Sequence, residues 1–258
     1  MKISANTILI TGGSSGIGFE MAKQFVKLGN TVVITGRSAS KLAEAQKRVP
    51  ELKTIVSDVS QPAAIQALFA QVTREFPQLN VLINNAGIMK PINLHDTAGS
   101  LEDLTQEIDI NLNGPIRMTK TFLAHLKAQP TAAIVNVSSG LAFVPLPISP
   151  VYCATKAALH SFTQSLRVQL KKTHVKVFEL APPATKTELL VSTSHPEDMK
   201  GISIMSVEAM VAAALKGFEA DCYEIRPGQS NQLKFMSRLA PEFILKQLSR
   251  PVDRMLAH

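Results

Sequence analysis

The 258-residue sequence predicts an α/β protein: a doubly wound parallel sheet of about seven strands with helices on both faces, in one domain spanning residues 1–258. Three observations carry this reading. Short β-branched runs recur at regular intervals, each is apolar almost throughout rather than alternately, and 3.6-period patterns fill the gaps between them.

The elements follow in order. NTILIT at 6–11 reads as the first strand and leads into a helix over 16–28, which Gly29 and Asn30 close. TVVIT at 31–35 is the second strand, followed by a helix over 40–49. LKTIVS at 52–57 is the third, after which Ser60 and Pro62 open a helix over 62–76, since proline's fixed φ suits a first turn. NVLINN at 80–85 precedes one long helical pattern over 101–126, and AAIVNVS at 132–138 precedes a helix over 152–172. HVKVFEL at 174–180 is the sixth strand. A substrate loop over 188–205, a helix starting near Ser206, a weak strand at 222–226 and an amphipathic segment over 233–258 complete the chain.

Composition narrows the function classes. No run approaches the ~18 apolar residues a membrane span needs, and Met1–Ala5 is too short and polar for a signal peptide, so a cytoplasmic protein is expected. The net charge of +7 is spread along the chain, with 13 basic and 10 acidic groups over residues 1–150, 6 and 4 over 151–198, and 8 and 6 over 199–258. Without a basic stripe, no nucleic-acid partner is expected. Cys153 and Cys222 lack metal or redox spacing, and the six histidines form no ligand cluster, so no metal is expected.

In such a sheet, ligands bind beyond the carboxyl ends of the strands, and the first strand ends in TGGSSGIG. Gly12 permits a tight turn. Gly16 and Gly18 let a pyrophosphate approach the backbone and the helix N-terminus, whose free N–H groups favour an anion. Ser14, Ser15 and Ile17 share that turn and join the cofactor-binding set. At the end of the second strand, where a carboxylate would hold the ribose of NAD, stand Gly36, Arg37 and Ser38. A guanidinium grips a 2′-phosphate, so NADP(H) is favoured over NAD(H). After the third strand, Asp58 is read either as an acceptor for the adenine amino group or as a helix-capping turn residue, with Val59 beside it.

TGGSSGIG, NNAG at 84–87 and Tyr152-xxx-Lys156 together resemble the short-chain dehydrogenase/reductase family, whose members have a Rossmann fold, over residues 6 to about 187. SGLAF at 139–143, ATKAALHSF and APPA at 181–184 look closer still to DltE-like short-chain oxidoreductases. The resemblance implies a catalytic tetrad of Asn111, Ser139, Tyr152 and Lys156, with Ser139 chosen over Ser138 by its spacing to the tyrosine. It implies that Asn84, Asn85, Ala86 and Gly87 steady the sheet beneath the adenosine, that Tyr152 and Lys156 touch the cofactor, and that Pro182, Thr185 and Thr187 lie on the nicotinamide loop. A homodimer or homotetramer is also implied. One departure stands out: Pro182-Pro183 occupies the family's Pro-Gly, which stiffens the loop and removes an N–H.

The chemistry follows from side-chain types as well. Tyr152 and Lys156 share a helix face, so their polar ends are expected to lie a few ångströms apart, the ammonium and the positive nicotinamide ring lowering the phenol's pKa. A tuned phenol is a general acid for ketone reduction and a base for alcohol oxidation, and Ser139 would donate to the substrate oxygen. Asn111, through water, would link Lys156 to solvent. Cys153 is read as a packing residue. Leu141, Phe143, Leu189, Leu190 and Met205 suggest a pocket for a medium-sized apolar carbonyl compound or alcohol. The expectation is an NADP(H)-dependent oxidoreductase; a noncatalytic NADP(H)-binding sensor or scaffold linked to cell-envelope metabolism is the alternative. The C-terminal segment sets Phe235, Leu239, Phe243 and Leu248 against basic residues. Pro241 interrupts it, so packing on its own body or a partner subunit is favoured over a membrane surface.

Overall fold

The computed structural model describes residues 1–97, 100–193 and 203–256. Seven strands form one parallel sheet: β1 (Thr7–Thr11), β2 (Thr31–Gly36), β3 (Lys53–Val56), β4 (Leu79–Asn84), β5 (Ala132–Val137), β6 (Val175–Leu180) and β7 (Glu224–Ile225), in the order β3-β2-β1-β4-β5-β6-β7. The order reverses between β1 and β4, and the crevice at that switch point is where such sheets bind ligands.

Both faces are dry, which is why the strands read as continuous apolar runs. Ile8, Ile10, Val135 and Phe178 pack with Phe25 and Phe218 on one face, while Leu9, Ile134 and Val177 pack with Phe122 on the other. The two-residue period of a strand sends neighbours to opposite cores. The helices that supply these aromatic rings are α1 (Gly16–Lys27), α5 (Gly114–Ala128) and α8 (Val207–Glu219). On the flanks lie α2 (Ala39–Arg48), α3 (Pro62–Glu75) and α6 (Pro150–Gln169).

Three elements differ from the sequence reading, and a fourth, the C-terminal segment, breaks at Pro241 as expected but docks unevenly. The helix expected over 101–126 is broken into α4 (Leu101–Ile108), a π turn (Asp109–Asn113) and α5, because Pro115 enters at the start of α5 and Gly114 presses against Val59, leaving a Cβ only 3.1 Å of room. The helix α3 is capped by Gln61 rather than Ser60, since Asp58 Oδ1 accepts both the Ser60 N–H at 2.9 Å and its hydroxyl at 2.8 Å. The substrate loop contains a short helix, α7 (Glu188–Thr193), and its residues 194–202 lie outside the described residues. The C-terminal segment divides at Pro241 into α9 (Gln229–Leu239), α10 (Pro241–Leu248) and α11 (Arg250–Met255); α9 seats Ser230 and Leu233 on Gly140, whereas α10 and α11 bury no residue.

Candidate active site

The turn after β1 is built by exclusion. Gly12 has φ +64°, and a Cβ there would lie 2.8 Å from the Ala86 backbone. At Gly18 a Cβ would lie 2.4 Å from both the Gly12 carbonyl and Asn85 Nδ2. Asn85 fixes this approach by donating to the Thr11 and Gly12 carbonyls at 3.0 Å each, while the Thr11 hydroxyl accepts the Asn85 and Ala86 N–H groups at 3.0 and 3.1 Å. Asn85 and Ala86 are thus braces of the turn. Ser15 caps α1 without a side-chain hydrogen bond, which leaves the first-turn N–H groups facing outward. Ser14, Ser15, Gly16, Lys186 and Thr187 line a cleft of about 310 Å³ at the start of α1, whereas Ile17 is not in its wall and packs against the core.

Arg37, just beyond β2, is exposed and has no ion pair among the described residues. Ser14 Oγ lies 3.5 Å from where a Gly36 side chain would begin, so the turn and the Arg37 corner are contiguous. Ser38 caps α2, accepting the Lys41 N–H at 3.2 Å, and Lys41 Nζ meets Glu188 at 3.0 Å across the cleft. Sequence reasoning missed Lys41. Asp58 holds the turn described above, and Val59 is buried under Gly114.

The exits of β4 and β5 carry the remaining groups. Asn84 donates to Asn136 Oδ1 at 2.8 Å and Asn136 to Thr163 Oγ1 at 2.9 Å, an amide chain that stitches β4, β5 and α6. Asn136 was missed, though a polar residue inside an apolar run was its signal. Asn111 is fully buried in the π turn; its Nδ2 donates to the Ile88 carbonyl at 2.8 Å and its Oδ1 accepts the Ile88 N–H at 2.9 Å. Its side chain therefore clamps the segment leaving β4. A side chain at Gly87 would meet Asn111 Oδ1 at 3.3 Å and Lys156 Nζ at 3.5 Å, so both crowd one point.

Neighbouring serines at the end of β5 part company. Ser138 donates to buried Glu179 at 2.5 Å, and Ser139, whose Oγ accepts the Leu141 N–H at 3.1 Å, sits beside the Tyr152 phenol. Tyr152, Ser139 and Lys156 are each less than one tenth exposed. The ammonium donates to the Val137 carbonyl at 2.9 Å and sits 5.6 Å from the Tyr152 ring centre, because a buried ammonium needs an acceptor. Contrary to the sequence reading, burial pushes the phenol up to about 12, with Ser139 drawing it back, and burial lowers Lys156 to about 8. Cys153 packs against Leu146, and burial pushes its thiol up to about 11.

The loop after β6 roofs the site. Pro182 accepts the Gly140 N–H at 2.8 Å, and buried Thr185 spends its hydroxyl on the Pro183 carbonyl at 2.8 Å. Thr185 thus serves its own loop. Thr187 lies 3.4 Å from the point above Gly16, closing over the glycine turn. Met205 pairs with Thr185, and Phe143 packs edge-on to His160 at 5.1 Å under Lys234, so these two expected pocket residues are already in contact with protein. His160, Glu179 and Glu224 converge as the sequence did not suggest, their donor atoms within 4.8 Å. They are engaged with protein: His160 with Glu179 at 2.7 Å, and Glu224 with Arg226 at 2.7 Å and with Lys234.

The glycine turn, the NNAG exit and the buried Ser-Tyr-Lys group coincide with a match of the short chain dehydrogenase family profile over residues 6–198. The chain belongs to this family. Within it, the chain is 43% identical over 251 residues to the uncharacterized oxidoreductase DltE of Bacillus subtilis, covering 96% of this chain and 98% of that one. Among solved structures, it resembles a short-chain dehydrogenase from Sphingobium yanoikuyae in complex with NADPH, with a TM-score of 0.76 and 28% identity over 85% of this chain and 87% of that one. A short-chain dehydrogenase/reductase from Burkholderia phymatum in complex with NAD aligns with a TM-score of 0.82 at 22% identity, covering 96% of each chain. As a short-chain dehydrogenase the protein is an oxidoreductase whose structural neighbours hold nicotinamide cofactors. Among the described residues, no helix is long and apolar enough to cross a membrane.

Proposed function

We propose that this short-chain dehydrogenase is an NADP(H)-dependent reductase of a medium-sized, apolar carbonyl compound, or in reverse an alcohol dehydrogenase, with Tyr152 as its general acid/base. The observation that carries the reading is the buried phenol of Tyr152, held beside the Ser139 hydroxyl and one helical turn from the Lys156 ammonium. The donor set suits an anionic dinucleotide: first-turn N–H groups of α1 open to the cleft, Ser14 next to Gly36, and an exposed guanidinium at Arg37 without an ion pair among the described residues. Bound there, the cofactor supplies the hydride.

The chain's residues supply the rest. Tyr152, protonated at neutral pH, gives its proton to the substrate oxygen while the Ser139 hydroxyl orients that oxygen. The phenolate left behind takes a proton from Lys156, which regains one from solvent along the Gly87–Asn111 side, and Asn111 keeps that wall in place. Thr187 closes over Gly16, and half-buried Leu141, Leu189 and Leu190 give the substrate side its apolar character.

The test is NADPH oxidation by the purified protein against a panel of ketones and aldehydes. Turnover is expected, with Tyr152→Phe lowering kcat/KM by ~10²–10⁴. Arg37→Asp should weaken NADPH binding at least ~10-fold and spare NADH. An inert panel, or a Phe variant as active as the parent, sinks the catalytic reading; equal wild-type affinity for the two cofactors sinks the NADP(H) preference.

A further inference from the structure

The buried ionisable groups on the substrate side include one that the proposed mechanism does not use. Glu107, in the last turn of α4, is fully buried. Its Oε1 accepts the Lys90 N–H at 2.9 Å, and its Oε2 has no hydrogen-bond partner among the described residues. Glu179, the other fully buried carboxylate here, has both oxygens engaged, by Ser138 and His160. A buried carboxylate oxygen left without a donor is costly, and such a group persists where a fixed positive charge or a function holds it.

Its place in the fold is specific. Four residues later Asn111 grips Ile88, so Glu107 and Asn111 together hold alternate residues of the segment leaving β4, Lys90 and Ile88. That segment carries Gly87, against which Lys156 Nζ closes. The helix α4 packs directly on α6, which bears Tyr152, Cys153 and Lys156.

We propose that Glu107 is a further positioning residue of this site: the buried carboxylate on α4 that, packed against the helix bearing Tyr152 and Lys156, governs the proton held on Tyr152. The proposal rests on the reading of Tyr152 as the acid/base group. Burial raises the Glu107 carboxyl, while the Lys90 N–H and the Lys90 and Lys156 ammonium groups draw it back; Tyr152 and Cys153 are the acidic groups it acts on. Lys90 directs its own Nζ to the Asp103 carbonyl at 3.5 Å, which leaves Lys156 as the partner within the site. Ionised Glu107 favours the charged form of Lys156 against its burial and disfavours phenolate at Tyr152. The effect is to keep the centre in the form that donates a proton.

The sequence permits a test that needs no turnover, because the chain has two tyrosines and no tryptophan. In a Tyr223→Phe background, tyrosinate absorbance reports Tyr152 alone, and it is followed from about pH 8 to about pH 12 with Glu107 intact and with Glu107→Gln, which keeps an acceptor for the Lys90 N–H. Removing the carboxylate is expected to lower the Tyr152 midpoint by at least about 0.5. Midpoints agreeing within about 0.2 overturn the proposal. Should the Gln variant fail to fold, the intact carboxyl is followed by carbon-13 NMR in the wild type and in Lys156→Met. Loss of the ammonium should raise the Glu107 midpoint, and an unmoved midpoint overturns the proposal. A protein that turns over no carbonyl compound would sink the reductase reading by itself, since these titrations report the Glu107 coupling independently.

Discussion

Lys156 keeps its ammonium with 4% of its surface exposed and a single carbonyl acceptor, an arrangement that penalises the folded state while serving the site. Its pKa lies near 8 when folded against about 10.5 when unfolded, so between those values the unfolded chain binds more protons and stability rises with pH. Tyr152 acts in the other sense: its folded value of about 12 exceeds the ordinary 10, so above pH 10 the native chain holds the proton longer and stability falls toward pH 12. Lys156→Met is therefore expected to stabilise the protein at pH 7 by roughly 1–3 kcal/mol while abolishing turnover, and the gain should shrink near pH 10. Urea unfolding at both pH values checks this, and an equal gain at each would contradict it. That Tyr152, Lys156 and Ser139 come together was legible from the motif spacing that carries the family resemblance. The direction of the phenol's shift was not, because spacing carries no information on how much water burial removes. Glu107 left only its four-residue interval to Asn111, a signal too common to single it out.

The strands were legible because a sheet covered on both faces needs apolar residues at every position, a pattern that short β-branched runs express directly. The break in the helix over 101–126 was not. A π turn adds about one residue to one turn, which barely disturbs a 3.6 period, and only Pro115 marked the place. The glycine turn was legible as a motif, but its bracing by Thr11 and Asn85 depends on β1 and β4 being neighbours, which is a tertiary fact. That bracing makes the turn rigid, so Gly18→Ala has no soft direction: the new methyl would sit 2.4 Å from the Gly12 carbonyl and from Asn85 Nδ2. A loss of about 1–3 kcal/mol of stability and at least ~10-fold weaker NADPH binding are expected. Thermal melts with and without NADPH measure both, and a variant that melts and binds like the parent would show the turn to be more compliant than its contacts imply.

Across the whole molecule, the strand order gathers the functional groups at one end: the glycine turn follows β1, the Gly87 segment β4 and Ser139 β5, with the Pro182–Thr187 loop after β6 as the roof. The C-terminal segment joins this end unevenly. The helix α9 packs on the Gly140–Ala142 turn; a Cβ at Gly140 would meet Ser230 Oγ at 2.8 Å and Leu233 at 3.0 Å. It thereby covers the residue next to Ser139. Beyond Pro241, α10 and α11 bury nothing, and Phe243 is 56% exposed. The amphipathic pattern predicted this segment's helices but not which of them docks, because α9 and α10 carry similar apolar stripes and only α9 meets a glycine that admits close approach. A chain ending at Ala240 is therefore expected to melt within about 2 °C of the full chain and to turn over at a similar rate, since a loss of 1 kcal/mol would shift Tm by roughly 2–4 °C at this size. A chain ending at Gly228 uncovers the Ser139 turn and should lose at least ~10-fold in kcat while its far-ultraviolet dichroism falls only by the contribution of α9–α11, because the sheet and both cores lie upstream. A drop in Tm of more than about 4 °C on removing residues 241–258 alone would show instead that α10 and α11 cover a surface essential to stability.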